Sequence, residues 1–98
     1  MHDVIVTYSS IPDRAAFSAY YRGTHAPLVR AMPELEEFAW GFVSDAGEDD
    51  PKLIARLTFP SRDAADRSFA ADAGLATVAD VANFATEGVA VVHVPREQ

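Results

Sequence analysis

The sequence predicts an α+β protein of the ferredoxin-like order βαββαβ, with a four-stranded antiparallel sheet and its helices on one face. Three observations support this fold class. Four short β-branched and aromatic runs are typical of strands, two longer stretches carry apolar residues at helical spacing, and turn residues separate them. Ninety-eight residues suffice for one core, so we expect a single domain over residues 1–98.

The first strand and the first helix occupy the N-terminal third of the chain. Residues 4–8 are β-branched and aromatic, and a turn at residues 9–12 ends this strand. Asp13 is a suitable N-cap for a helix that begins at Arg14, and Pro33 ends that helix. From the helical spacing, its apolar side is predicted to contain Phe17, Tyr20, Tyr21, Thr24 and Leu28.

The first helix contains a conflict between its apolar pattern and proline chemistry. Pro27 has no N–H for the carbonyl of Gly23, and its ring presses on that carbonyl. It also moves Ala26 away from helical dihedral angles. We therefore predict that the helix ends near Gly23 and restarts with Pro27 at its first position, capped by Thr24 or His25.

The middle of the chain predicts a hairpin. Residues 38–43 form the second strand, and residues 45–51, with glycine, proline and four acids, form a solvated loop. Residues 52–59 form the third strand. The face of the second strand that is strongly aromatic contains Phe38, Trp40 and Phe42.

The last part of the chain predicts a second helical layer and a final strand. Ser61 is the expected N-cap of the second helix, and residues 72–74 interrupt it. A further helical stretch covers residues 75–85, and residues 89–94 form the fourth strand. The inward positions are predicted to be Ala65, Phe69, Leu75, Val78, Ala82 and Phe84 or Ala85.

The first and fourth strands are apolar on both faces, which a sheet covered on one side does not need. Successive residues Val4, Ile5 and Val6 break the alternation in the first strand, as do residues 89–92 in the fourth. Such an open face would leave an exposed apolar patch on a monomer, and residues 96–98 are too few to cover it. We therefore predict a homodimer formed through the open face of the sheet.

Composition excludes several classes of partner. The net charge of −7 argues against nucleic acid and anionic membranes, and Arg14, Arg22 and Arg30, which recur every eight residues, mostly face solvent. The absence of cysteine excludes disulfides and thiolate sites. No apolar run approaches the roughly 20 residues of a membrane span, and the N-terminus enters a strand at once. We expect a cytoplasmic protein.

Two motifs resemble those of a known family. The first is Tyr21-Arg22-x-x-His25-x-Pro27-Leu28-Val29 with a following Met32-Pro33, and the second is Ala79-Asp80-Val81-Ala82-Asn83-Phe84. With the element order, these motifs make the chain similar to the EthD family of the dimeric α+β barrel superfamily. It departs from the family in its short length and in Glu34-Leu35, where a glycine turn is frequent.

The resemblance implies a homodimer whose sheets pack face to face into a barrel, with a cleft between the sheet and the helices of each protomer. Family members are linked to the breakdown of ethers, aromatics and lactones. Related barrels carry out isomerisation, polyketide cyclisation or cofactor-free oxygenation. The family therefore implies a fold and a pocket more directly than a reaction.

His25 is the candidate catalytic residue. Imidazole titrates near neutral pH and serves as a general acid or base, and the resemblance places this ring in the cleft. Tyr21, one turn earlier, is expected to bind substrate in the same pocket, with Tyr8 closing its floor. The alternative is that His25 only holds the helix break and that both tyrosines only pack in the core.

The remaining candidates for substrate binding come from the second motif and the aromatic strand. Asp80 and Asn83 share one side of a helix, and an Asp80 that faces the cleft would orient His25 and raise its basicity. Phe84 follows in the same motif, and Trp40 offers an aromatic wall to a flat apolar ligand. The alternatives are a solvated acid and ordinary core aromatics.

No metal or other cofactor is predicted. His2, His25 and His93 lack the paired spacing of zinc ligands, and no glycine-rich phosphate loop follows a strand. Serine hydrolase chemistry is disfavoured because no Gly-x-Ser-x-Gly motif occurs.

Three functions remain open at this point. The first is a cofactor-independent catabolic enzyme of the isomerase or cyclase type, in which His25 moves a proton on a small apolar or aromatic-derived compound. The second is a non-catalytic ligand-binding accessory module for an oxygenase system. The third is a haem or quinol-type monooxygenase of the same superfamily.

Overall fold

The computed structural model describes residues 1–97 and contains one four-stranded antiparallel sheet with its helices on one face. The predicted α+β, ferredoxin-like class is confirmed. In chain order the elements are β1 (His2–Tyr8), α1 (Arg14–Tyr20), a π-helical segment (Tyr21–His25), α2 (Ala26–Arg30), β2 (Glu37–Phe42), β3 (Leu53–Phe59), α3 (Arg62–Ala70), α4 (Asp72–Val81) and β4 (Val89–Pro95).

The sheet order β2-β3-β1-β4 places β3 and β1 in the middle and leaves β2 and β4 at the edges. Val4 of β1 lies opposite Leu57 of β3 and His93 of β4. Because side chains alternate along a strand, these residues share the face that the helices cover. The core on this face is made of Val4, Tyr8, Leu53, Ala55, Leu57 and Phe59 from the sheet, and Phe17, Tyr21, Ala26 and Val29 from the helices.

The predicted helix break at Gly23 is wrong. The chain stays helical through this region, and the N–H of Ala26 bonds to the carbonyl of Tyr21, five residues earlier. A π-helical turn holds one residue more than an α-helical turn, so the chain adapts to Pro27 without ending the helix. His25 occupies the predicted cap position before Pro27, but its side chain makes no capping hydrogen bond.

The extra residue changes which side chains point inward. Regular 3.6-residue spacing places Thr24 and Leu28 on the apolar side, but Thr24 is exposed and Leu28 only half-buried. His25, Ala26 and Val29 are buried instead. With the π-helical segment, Ala26 and Val29 join His25 as buried residues in place of Thr24 and Leu28.

Both predicted helix caps are observed, but the break in the second helical layer lies earlier than expected. The side chains of Asp13 and Ser61 accept hydrogen bonds from the N–H groups of Ala16 and Ala64. The chain becomes extended at Ala71, and residues 72–74, which were expected to interrupt the helix, form the first turn of α4.

Close packing of α4 against α3 corrects the predicted inward face. A Cβ atom on Gly74 would lie 2.6 Å from the Cα atom of Phe69, so only glycine permits this approach. The approach directs the face with Gly74, Thr77 and Asp80 inward. Leu75 and Val78, which were predicted to be buried, are 58% and 56% exposed.

The open face of the sheet is apolar over part of its area and polar at one end. Val92, Val94 and Ile54 are exposed there, at 51%, 43% and 38%. At the polar end, the guanidinium of Arg96 donates two hydrogen bonds to the carboxylate of Asp3. These bonds lower the pKa of Asp3 to about 2, against the opposing effect of burial.

Candidate functional site

The site forms where the π-helical segment meets the end of α4. The Nδ1 atom of His25 lies 3.0 Å from Oδ2 of Asp80. The other carboxylate oxygen of Asp80 accepts a hydrogen bond of 2.7 Å from the hydroxyl of Tyr20 and one of 3.0 Å from the amide of Asn83. Asp80 is therefore held from two sides, and its orientation fixes the plane of the imidazole.

The two ionisable groups have pKa values that favour a charged Asp80 and a neutral His25. Burial opposes the ionisation of Asp80, but hydrogen bonds from Tyr20, Asn83 and His25 outweigh it and lower the pKa of the carboxyl. Burial lowers the pKa of His25, and the carboxylate of Asp80 offsets only part of that effect. At neutral pH the imidazole is therefore uncharged.

A neutral imidazole has one N–H group and one unprotonated nitrogen. Since an ionised carboxylate only accepts hydrogen bonds, Nδ1 of His25 carries the proton and donates it to Asp80. Nε2 is left unprotonated and has no hydrogen-bond partner within residues 1–97. The ring thus offers a basic nitrogen to a ligand.

His25 lines a cleft of about 210 Å³ between the helices and the sheet. The polar side chains at the cleft belong to His25, Tyr8, Tyr21 and Thr77, and no Lys, Arg, Asp or Glu within residues 1–97 lines it. The hydroxyl of Thr77 already donates to the carbonyl of Ala73. Most of the remaining wall is hydrocarbon, from residues that include Val6, Val29, Leu57, Val78, Val89 and Val91.

The two tyrosines of the cleft stay protonated at neutral pH. Burial raises the pKa of Tyr8 to about 12, and burial together with the neighbouring Tyr8 raises the pKa of Tyr21 further. The two rings meet edge to face with centroids 6.0 Å apart. The cleft is therefore lined by two neutral phenol side chains and an imidazole on an apolar background.

The predicted site residues divide into three groups. His25, Tyr21 and Tyr8 line the cleft together. Asp80 and Asn83 lie behind His25 in the hydrogen-bond network, and the ring of Phe84 packs against the imidazole with centroids 4.6 Å apart. The structure does not bring Trp40 into the cleft: its ring packs on Tyr21, with centroids 4.6 Å apart, and lies under the guanidinium of Arg22.

Sequence reasoning missed Tyr20 and Thr77. Tyr20 was expected only to pack on the apolar side of its helix, but its hydroxyl donates the shortest of the hydrogen bonds that Asp80 accepts. Thr77 lies three residues before Asp80, so it shares the inward face of α4. That i, i+3 spacing from Asp80 was the signal available for Thr77, whereas nothing in the sequence indicated the contact of Tyr20.

Within residues 1–97, no group of three or more His, Asp or Glu side chains is placed to hold a metal ion. The described helices also include none with the length and apolar character of a membrane span. His2 and His93 do meet, with Nε2 of His2 2.8 Å from Nδ1 of His93, but they lie on β1 and β4 away from the cleft.

Comparison with known proteins shows the family to which the chain belongs. The family model described as EthD domain matches residues 12–88, which include the helical layer, most of the residues that line the cleft and the network around Asp80. The chain belongs to the EthD family. In this EthD protein the matched range includes His25, Tyr21 and Asp80, while β1 and β4 lie wholly outside it.

Relatives of this EthD protein agree in length and fold. It is 35% identical to an uncharacterized 11.0 kDa protein from the thcB-thcC intergenic region of Rhodococcus erythropolis, and the match covers 99% of this chain and 96% of that protein. An EthD family protein from Bacillus halodurans superimposes with a TM-score of 0.91 at 24% identity, covering 99% of both chains.

A more distant structure is that of a variant of SnoaB, a cofactor-independent oxygenase from Streptomyces nogalater. It matches with a TM-score of 0.72 at 15% identity, covering 99% of this chain and 93% of that one. At these identities the two solved structures establish the ferredoxin-like fold alone, so the site is argued from the residues of this chain.

Proposed function

We propose that this EthD protein is a cofactor-independent catabolic enzyme of the isomerase or cyclase type, in which His25 transfers a proton on a small apolar or aromatic-derived compound. The observation that carries the proposal is the pairing of Nδ1 of His25 with Asp80, which leaves Nε2 as a base in an apolar cleft. A cofactor-independent oxygenase among the distant structural relatives supports chemistry without a bound cofactor in this fold.

The ionisation of the pair suits general-base catalysis. A base must be unprotonated at the working pH, and the lowered pKa of His25 keeps it so at neutrality. When Nε2 accepts a proton, the imidazolium forms beside the carboxylate of Asp80, which stabilises the new charge. A positioned base of this kind contributes roughly 10²–10⁴-fold to a rate.

The lining of the cleft favours a small, uncharged substrate. It offers no cationic partner for a carboxylate among residues 1–97, so a charged ligand would lose its hydration without compensation. The volume of about 210 Å³ corresponds to roughly seven water molecules. Haem exceeds this volume, so the cleft as it stands does not favour the haem-dependent alternative.

A homodimer through the open face of the sheet forms part of the proposal. Exposed Val92, Val94 and Ile54 on that face gain from burial against a second sheet. The cleft lies on the opposite, helical side, so dimerisation of this kind leaves it accessible.

The test is hydrogen exchange on carbon. A panel of small neutral lactones, cyclic enones and aryl ketones is incubated with the protein in D₂O, and the exchange of acidic C–H positions is followed by NMR. We expect catalysed exchange with at least one compound, its loss in His25→Gln, and its retention in His93→Gln, which alters a histidine outside the cleft.

Exchange that is equal in His25→Gln and the unaltered protein contradicts the catalytic role. If compounds bind without exchange, with an affinity that does not change between about pH 5 and 8, the accessory-module alternative replaces the proposal. The accessory module is the second candidate function, because an apolar cleft of this volume can hold a ligand whether or not the imidazole of His25 reacts with it.

A further inference from the structure

Among residues 1–97 of this acidic protein, three arginines lie beside no carboxylate partner. The sequence contains eight Lys and Arg residues. Four arginines form ion pairs with carboxylates, and Lys52 donates to loop carbonyls of residues 47, 48 and 50. Within residues 1–97, the basic side chains without such partners are Arg14, Arg22 and Arg30.

The same three arginines lie in one row on the outside of the protein. Each guanidinium lies over an aromatic ring of β2, at 4.0 Å from the ring centroid for Arg14 on Phe42, 4.9 Å for Arg22 on Trp40 and 5.1 Å for Arg30 on Phe38. All three side chains are exposed. We call this row, with the rings beneath it, the arginine stripe.

The spacing of the arginine stripe follows the strand below it. The rings belong to alternate residues of β2, and the centroids of Trp40 and Phe42 are 6.2 Å apart. The helix supplies one arginine every eight residues, and their flexible stems reach rings two residues apart on the strand. An extended chain repeats its side chains on one face every 6.4–6.8 Å or so, since each residue advances it by about 3.2–3.4 Å.

The position of the stripe at the edge of the sheet adds a second argument. β2 pairs only with β3 among the described strands, so its outer backbone groups point away from the sheet. An extended segment along this edge would place alternate side chains beside the three guanidiniums. The net charge of −7 disfavours an acidic segment in general, whereas the three guanidiniums supply complementary charge along this edge, with Asp45 as an acid near Arg14.

We propose that the arginine stripe is a docking surface for an extended acidic segment of a partner protein, with carboxylates on alternate residues paired with Arg14, Arg22 and Arg30. Guanidinium groups suit this role because they bind carboxylates in a bidentate fashion and stay charged while stacked on a ring. This inference does not depend on the function proposed for the cleft, because the side chains that line the cleft are not those of the arginine stripe.

The test uses two synthetic peptides of equal composition. One is acetyl-Asp-Thr-Asp-Thr-Asp-Thr-amide, and the control has its three aspartates in succession. Trp40 is the only tryptophan and lies under Arg22, so its fluorescence reports binding to the unaltered protein. We expect the alternating peptide to bind about tenfold more tightly than the control, with an affinity that falls as salt rises.

Calorimetry then compares two double variants that change the net charge equally. Arg22→Gln with Arg30→Gln should weaken binding of the alternating peptide by about tenfold or more, while Arg62→Gln with Arg67→Gln, on α3, should leave it unchanged. Equal affinity for the two peptides, equal loss in both double variants, or no binding at all overturns the proposal. Tighter binding of a single-stranded oligonucleotide than of the peptide overturns it in favour of a phosphate-bearing partner.

Discussion

Nδ1 of His25 lies 3.0 Å from Oδ2 of Asp80, although 55 positions separate the two residues in the chain. The pair joins the π-helical segment to α4 and sets which ring nitrogen of His25 carries the proton. Both side chains are almost fully buried, so the contact is sheltered from solvent screening. The contact sets the tautomer of His25, while burial of the ring lowers its pKa.

The lowered pKa of His25 predicts a loss of stability in mild acid. The unfolded chain takes up a proton near pH 6.5, whereas the folded chain resists it to a lower pH. In that window the unfolded state binds more protons, so the free energy of unfolding decreases as the pH falls below about 6.5. Urea unfolding between about pH 5 and 8 measures this.

In the variant His25→Gln the free energy of unfolding should change less with pH below about 6.5 than it does in the unaltered protein. His93 also has a lowered pKa, chiefly through burial, so some pH dependence remains in the variant. The same dependence of the free energy of unfolding on pH in the variant and in the unaltered protein would contradict the assignment of a neutral, buried His25.

The two tyrosines of the cleft predict a second loss of stability in alkali. Burial raises the pKa of Tyr8 from 10.0 to about 12 and also raises that of Tyr21. Above pH 10 the unfolded chain loses phenolic protons that the folded chain retains, so the free energy of unfolding decreases as the pH rises. The difference between the urea midpoints at about pH 8 and about pH 11 should be smaller in Tyr8→Phe than in the unaltered protein, with Tyr21 responsible for part of what remains. An unchanged difference would count against the buried phenol.

Two glycine substitutions test the packing of the helices. In Gly74→Ala the new methyl group collides with the carbonyl oxygen of Ser68 and with Cα of Phe69, both backbone atoms, so we expect a loss of about 3 kcal/mol or more. Gly23→Ala is the control, since nothing lies within 4 Å of its Cβ position. It should gain about 0.5–1 kcal/mol. Denaturant unfolding compares them, and a tolerated Gly74→Ala would contradict the close packing of α4 on α3.

The open face of the sheet predicts a dimer that one charge can disrupt. Val92 is 51% exposed on that face, and a glutamate there would be buried without a partner in the dimer. Val92→Glu should weaken dimerisation by tenfold or more, roughly the effect of 1.4 kcal/mol. Leu75→Glu, at a 58% exposed position on α4, is the matched control and should leave the dimer intact. Sedimentation measures both, and equal effects would place the interface elsewhere.

The strands, their order and both helix caps were predictable because they depend on local patterns. Short β-branched and aromatic runs between turn residues specify β1 to β4, and the short side chains of Asp13 and Ser61 satisfy the first helical N–H groups. The π-helical segment was not predictable in this way. Pro27 signals a conflict, but whether the helix ends or takes in an extra residue depends on the packing of residues far away in the chain.

The same distinction holds for the site. The motif residues His25 and Asp80 were recognisable, and the structure places them in contact. The hydroxyl of Tyr20 was not recognisable as a partner, because its contact with Asp80 depends on how α1 and α4 pack. The exposure of Leu75 and Val78 arises from the close approach at Gly74, which periodicity does not describe.

The central claim is that His25 is neutral, with its proton on Nδ1 and its Nε2 free. Long-range ¹H–¹⁵N NMR of the protein at pH 7 measures this directly, since protonated and unprotonated ring nitrogens have different chemical shifts. We expect a protonated Nδ1, an unprotonated Nε2, and a pKa below 6.5 that falls further in Asp80→Asn, because the carboxylate raises it. An imidazolium at pH 7, or a proton on Nε2 alone, would contradict the claim.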